Sequence, residues 1–367
     1  MLIFITMKKK RLMILLGIFT FFILCMLLFL FVPKVSTVFV EQEISHELQK
    51  IFDKRTNAIL NNDMEALKNL YDCSRKYGLW AYEHEKKKMK YLHGWSEKQG
   101  IKFTDINPIV MVKWIKDKGD RITVNLTVCS EYKYVYENDP EKINLFRIGT
   151  YHSLDIRPTE EGWVIIREWY TDPFADSMHL EQVKTEKIKE YILSQDVRDF
   201  SNMIERRKNA VCYADKYCGA AGDREYSYNK KYKNYNPLGG DCANFASQIL
   251  YEGGKFRKNY SWNYGKGATR AWINAHGFKD YMLYSGRASK VAYGTYDKVY
   301  KAAYKLLPGD FIAYEKNGKI THISVITGAD SKGYPLVNSH NTDRYRVPWD
   351  LGWSDRDIRF WLIHVHF

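Results

Sequence analysis

Residues 235–254 read YNPLGGDCANFASQILYEGG, and this stretch sets the frame for the C-terminal half of the chain. After Asp241 the apolar residues Phe245, Ala246, Ile249 and Leu250 recur at i, i+1, i+4 and i+5, and Gly253-Gly254 stops the pattern. The spacing predicts one short helix with a buried stripe. Cys242 falls in its first turn, three residues before Phe245, so the thiol faces the protein rather than open solvent. Unsatisfied N–H groups and the positive helix end stabilise a thiolate there, and a lowered pKa is what covalent catalysis asks of a cysteine. Gly239 and Gly240 let backbone or substrate approach closely. The plainer reading of the same cysteine is a small core residue at a helix start.

Downstream, LPGDFIAYEKNGKITHISVITG (307–328) reads as two strands about a Lys316–Gly318 turn and places His322 inside an apolar strand. A polar cluster, VNSHNTDRYRVPW (337–349), follows on the next strand. Helix thiol, strand histidine and polar neighbour come in the chain order of papain-like enzymes, where they serve as nucleophile, base and imidazole-orienting group. With RRKNAVCYADKYC (206–218), GGDCANFASQIL (239–250), PGDFIAY (308–314), THISVITG (321–328) and VNSHNTDRY (337–345), residues 204–367 closely resemble the bacterial "putative amidase domain" group. That group belongs to the papain-like superfamily and is related in layout to cell-wall cysteine endopeptidases.

The resemblance implies that Cys242 is the nucleophile and His322 the general base. Hairpin register across the Asp330–Gly333 turn decides the third residue. An even-sum register brings His340 or Asn338 to His322, and an odd-sum register presents Asn341. The Cys242 N–H is one oxyanion donor, and Asn236 sits where papain-like enzymes place a side-chain amide. Asp241 is expected to cap the helix rather than react, and Gln248 to make a structural polar contact. No cofactor is implied. His364 and His366 share one face of a terminal strand but make only half a zinc site, and neither HExxH nor CxxC occurs.

The N-terminus sets the expected compartment. Lys8, Lys9, Lys10 and Arg11 precede an apolar run from Leu12 to Val32, long enough to cross a bilayer. No A-x-A-like cleavage site follows it, and Leu24 before Cys25 does not fit a lipoprotein signal. An uncleaved anchor in residues 1–35, with the basic residues cytoplasmic, puts everything after Pro33 outside the cell. Residues 36–178 read as an α+β spacer or binding domain. Asp63 caps a helix, a long amphipathic helix runs from Lys76 to Lys98, and hairpins turn at Asp117–Asp120 and Thr159–Gly162. Helices on a curved antiparallel sheet resemble the nuclear-transport-factor-2-like cone. His84, His93 and His152 are read as isolated, and residues 179–203 as a semi-rigid helical connector. Cys212 and Cys218, six apart on one helix, are read as two buried free thiols rather than a disulfide.

The net charge of +13 is concentrated in residues 201–367, which carry 26 Lys/Arg and 15 Asp/Glu. Such a field favours anionic partners, a wall polymer or acidic lipid headgroups, and no nucleic-acid-reading motif accompanies it. The whole is expected to be an α+β protein: a transmembrane helix, a helices-on-sheet domain and a papain-like Cys/His hydrolase domain. The expected activity is cleavage of a peptidoglycan amide bond through a thioester acyl-enzyme. Alternatives are a catalytically inactive cell-wall binding module and an acyltransferase on the same Cys/His machinery.

Overall fold

The computed structural model describes residues 9–160, 162–171, 174, 185–222, 228–265, 267–353 and 357–367, leaving aside the side chains of 9–15, 24–41 and 185. In chain order the elements are α1 (Lys9–Leu60), α2 (Met64–Lys68), α3 (Lys76–Gln99), β1 (Ile101–Asp117), β2 (Ile122–Tyr136), β3 (Asp139–Thr159), β4 (Gly162–Tyr170) and α4 (Thr185–Leu193). Then come α5 (Glu205–Lys216), α6 (Cys242–Gln248), α7 (Arg270–Ile273), α8 (Ala275–Tyr284), β5 (Ala288–Gly294) and α9 (Tyr296–Ala303). The last strands are β6 (Phe311–Lys316), β7 (Lys319–Ala329), β8 (Pro335–Ser339), β9 (Asp343–Pro348) and β10 (Ile358–Val365).

Residues 1–48 and 49–367 form two compact units. The first holds most of α1. Much of the span expected at Leu12–Val32 lies outside the described side chains, and among the described residues no helix is long and apolar enough to cross a membrane.

The second unit is α+β. Its antiparallel strands run β1-β2-β3-β9-β8-β7-β6-β10-β5, with β4 also on β3. One long strand makes this continuity possible: β3 pairs β4 over His152–Thr159 and β9 over Arg147–Gly149. Gly149 sits at that junction because a Cβ there would lie 2.4 Å from the Ala220 backbone. The sheet therefore passes through both of the segments that sequence patterning separates. Buried polar contacts join them further. Asp350 accepts from Lys98 Nζ (2.6 Å) and Tyr334 Oη (2.7 Å), and Asp330 accepts from the hydroxyls of Tyr134 and Tyr136 (2.8 and 2.6 Å).

Local chemistry follows the sequence closely. Asp63 Oδ1 accepts from the N–H groups of Glu65 and Ala66, Gly100 closes α3 at φ 67°, and both N-terminal hairpins turn where expected. Asn317 and Gly318, at φ 51° and 74°, make the two-residue turn between β6 and β7.

Three expectations are corrected. The connector is helical only over Thr185–Leu193, and its residues 179–184 lie outside the described ones. Beyond it, Asp199 accepts from the Ser201 N–H and hydroxyl, a local turn that competes with helix, and Arg198 donates to the Leu306 carbonyl (2.7 Å). Cys218 is buried but Cys212 is exposed, because it lies on the outward face of α5; both are free thiols. His152 is not isolated. Strand pairing sets it opposite Tyr170, two residues from Glu168, so Nδ1 meets Glu168 Oε1 (2.7 Å) while Arg55 grips the same carboxylate. This buried network holds Glu168 well below the usual carboxylate range against the cost of its burial.

Candidate active site

α6 forms where the sequence places it. Residues Cys242 to Gln248 are all buried, and the helix continues as a π turn, Ile249–Gly253, before Gly254. Its apolar side enters a core that includes Phe245, Ala246, Trp272, Phe311, Ile323 and Val325. The "RR" and "PGD" motifs hold the surrounding frame. Arg207 donates to Asp310 Oδ1 (2.9 Å) and to the carbonyls of Pro308 and Val365 (both 2.7 Å). α5 is thereby fastened to the start of β6 and the end of β10.

α6 packs on β7, and the backbone amide of Ile323, the residue after His322, lies near enough to the Cys242 thiol to favour its anion. Both side chains are enclosed, with Cys242 5% and His322 4% exposed. His322 pairs with Tyr314 across β6 and β7, and the ring of Trp353 stacks on it at 5.1 Å. Its Nε2 is buried without a hydrogen-bond partner.

Burial reverses the expected ionisation. It pushes the Cys242 thiol up to about 11, and Asp241 adds to the effect; the N–H groups of Ile323, Ala243 and Cys242 itself pull the other way and lose. A helix start lowers a thiol pKa only where solvent or a charged partner supports the anion. The resting nucleophile is thus a protonated thiol. Iodoacetamide at pH 7 should label exposed Cys212 before Cys242, and Cys242 should become reactive only as pH approaches 11. Mass mapping of the alkylated sites checks this, and early labelling of Cys242 would contradict the closed geometry.

Burial likewise drives His322 down to about 3, assisted by the charges of Arg344 and His340. In the unfolded chain the imidazole protonates as pH falls through its ordinary value of 6.5, while in the folded protein it stays neutral to about 3. The stability this group contributes is present above 6.5 and is lost as pH falls towards 3. Between pH 7 and 4 the loss is about 3 kcal/mol, at about 1.4 kcal/mol per pKa unit. Urea unfolding at the two pH values should show that drop reduced in His322→Gln; an unchanged drop would mean that another group carries the acid sensitivity.

The third-residue candidates separate. Val325 pairs with Asn338 and Ile326 with Val337, an odd-sum register. Asn338 is committed elsewhere: its Oδ1 accepts from Thr327 Oγ1 (2.8 Å) and Arg346 N–H (2.7 Å), and its Nδ2 donates to Asp215 (2.9 Å). β8 ends before Asn341, whose backbone turns at φ 66°, and Asn341 Oδ1 accepts the Asp241 N–H at 2.6 Å. His340 lies between the rings of Tyr228 and Phe245, each 3.8 Å away. Its Nδ1 meets Asp241 Oδ2 (2.6 Å) and its Nε2 the Tyr217 carbonyl (2.7 Å). Both ring nitrogens are thereby engaged, and neither serves His322.

Asp241 occupies the N-cap position of α6, yet its side chain makes no cap hydrogen bond. The carboxylate instead takes His340, the Tyr235 N–H (2.9 Å) and Asn244 Nδ2 (2.9 Å), fastening three segments around the cysteine turn. Asn236 Nδ2 donates to Tyr228 Oη (2.8 Å), and its Oδ1 is buried without a partner. Gln248 accepts from Tyr213 Oη (3.0 Å). His364 meets Asp310 (3.1 Å), while His366 meets the Gly286 carbonyl (2.9 Å) and Ser289 Oγ (3.0 Å). Among the described residues no group of three or more His, Cys, Asp or Glu is placed to hold a metal.

Sequence reasoning missed Trp353 over His322, Tyr228 on His340, and Asp343. The last accepts from Tyr228 and Tyr151 (2.5 and 2.8 Å) and from the Ala220 N–H (2.7 Å). The "HNTD" run was a signal for Asp343. The aromatic covers had none, since they come from loops without periodicity.

Residues 204–363 match the family model described as "Putative amidase domain". The matched residues include Cys242, His322 and His340. Two Bacillus subtilis (strain 168) proteins, both described as uncharacterized, resemble this chain. YhbB is 29% identical over 43% of this chain and 50% of its own length, and YjcM is 34% identical over 38% and 31%. The matches thus span half or less of these relatives. A crystal structure of the intermembrane space region of chloroplast protein ARC6 aligns with 36% of this chain and 93% of that one, at 15% identity and a TM-score of 0.24. No shared fold is read from so low a score. The family assignment of the amidase domain points to a hydrolase acting on amides.

Proposed function

We propose that the amidase domain is a papain-like cysteine hydrolase that opens an amide bond through a thioester. The observation that supports it best is His322 Nε2, buried without a hydrogen-bond partner on β7, the strand against which the Cys242 helix packs. Native interiors satisfy nearly all buried polar atoms, so an unpartnered imidazole nitrogen on that strand suits a base held for a proton.

In the closed resting state the thiol is too weak an acid and the imidazole too weak a base to exchange a proton, so the step requires substrate contacts that stabilise both charges; His322 then takes the Cys242 proton and the sulfur attacks the amide carbonyl carbon. The tetrahedral oxyanion is met by the Cys242 N–H and, after it turns from Tyr228, by the Asn236 amide. The C–N bond then breaks, and His322 returns the proton to the leaving amine. Water, deprotonated by His322, hydrolyses the thioester to a carboxylic acid and frees the thiol. The Asp241–His340 pair acts by positioning the cysteine turn.

The basic C-terminal half and the apolar run Leu12–Val32 favour a substrate in peptidoglycan, reached from the outer face of a membrane to which the chain is anchored. The N-terminal hairpins then serve as a nuclear-transport-factor-2-like module. Incubating the full chain with purified peptidoglycan and identifying new amine and carboxyl ends by mass spectrometry tests the reading. The enclosure of Cys242 and His322 favours the binding-module alternative, in which wall fragments bind and no bond is cut.

A further inference from the structure

A cleft of about 640 Å³ lies beside the cysteine turn and is lined by both halves of the second unit. The amidase domain supplies Asn234, Asn236, Asn341 and Thr342, and the N-terminal hairpins supply Tyr151 from β3 and Trp169 from β4. The cleft comes within two residues of Cys242 along the chain. Gly240 lines it, and Asn341 holds the N–H of Asp241, the residue before Cys242.

Its chemistry is specific. Among the described residues that line it, no side chain is charged. Trp169 is 68% exposed although it sits on a paired strand opposite Ser153, and Tyr151 is 38% exposed with its hydroxyl fixed on Asp343. Rigid strands therefore hold two aromatic rings at the cleft wall at the cost of leaving apolar surface in water. The lining also includes the amide residues Asn234, Asn236 and Asn341. An indole face packs the C–H side of a pyranose, and amides exchange hydrogen bonds with hydroxyl and N-acetyl groups. A peptide carrying free carboxylates or ammonium groups would find no opposite charge among those described residues.

We propose that Trp169 and Tyr151 form a saccharide subsite that holds the glycan part of the substrate while the amide lies at Cys242. The inference rests on the amidase reading for the second part of that substrate only; saccharide binding itself needs no turnover. The test uses the full chain carrying Cys242→Ala, titrated with a tetramer of N-acetylglucosamine by calorimetry. Saturable binding is expected, weakened about tenfold or more by Trp169→Ala, largely kept by Trp169→Phe and unchanged by Tyr284→Ala on a distant exposed ring. Absence of saturable binding would overturn the subsite. So would affinity indifferent to Trp169→Ala, or equal Trp169-dependent binding of a sugar-free stem peptide. Saccharide binding by a protein that cuts no wall fragment would remove the amidase reading and leave the subsite standing.

Discussion

Cys242→Ala should abolish amide cleavage, by on the order of 10⁴-fold to 10⁶-fold, because it removes the only step that stores the acyl group on the protein. His322→Ala should cost about 10² to 10⁴-fold through loss of proton transfer. The double variant should be barely slower than Cys242→Ala alone, since two groups that act in one step do not contribute additively. Fold integrity is separable from chemistry here. Cys242 is small and buried, so alanine leaves a minor void, and His322→Gln keeps most of the volume beneath Trp353 where His322→Ala would not. Release of amine from peptidoglycan, followed by mass spectrometry alongside an unfolding curve for each variant, gives both readouts. Cleavage that persists in Cys242→Ala would end the thioester mechanism.

Asp241→Ala should be the more damaging change for stability, by about 3–5 kcal/mol, although Asp241 touches no substrate in the proposed reaction. The carboxylate is 1% exposed and meets the His340 ring pressed between Phe245 and Tyr228. Its removal leaves His340 Nδ1, the Tyr235 N–H and the Asn244 amide buried without that acceptor. His340→Phe should cost a similar amount for the converse reason, an uncompensated carboxylate. The double variant Asp241→Asn, His340→Phe should recover part of the loss because no buried charge remains. A double-mutant cycle from urea unfolding measures that coupling. Single losses below about 1 kcal/mol would show that water compensates the pair.

Much of the site was legible because its elements are built locally. The apolar spacing after Asp241, the Gly253-Gly254 stop, the Asn317-Gly318 turn and the alternation around His322 each report on neighbours within a few residues, and the structure follows them. Asp241 shows the limit. An aspartate before a helix reads as a cap, but a histidine 99 positions away takes the carboxylate at 2.6 Å in place of the local N–H groups.

The sequence by itself determined where thiol, strand histidine and polar cluster fall along the chain, since periodicity, turn residues and family motifs are properties of contiguous residues. Tertiary structure alone decided three things: that β3 carries one sheet across both halves, that Asn338 and His340 spend their hydrogen bonds on Asp215 and Asp241, and that Cys242 rests as a protonated thiol. The physical reason is the same for all three. Strand partners, hydrogen-bond partners and desolvation are set by residues brought from far along the chain, and a helix start that favours a thiolate in water is overruled when burial removes the water.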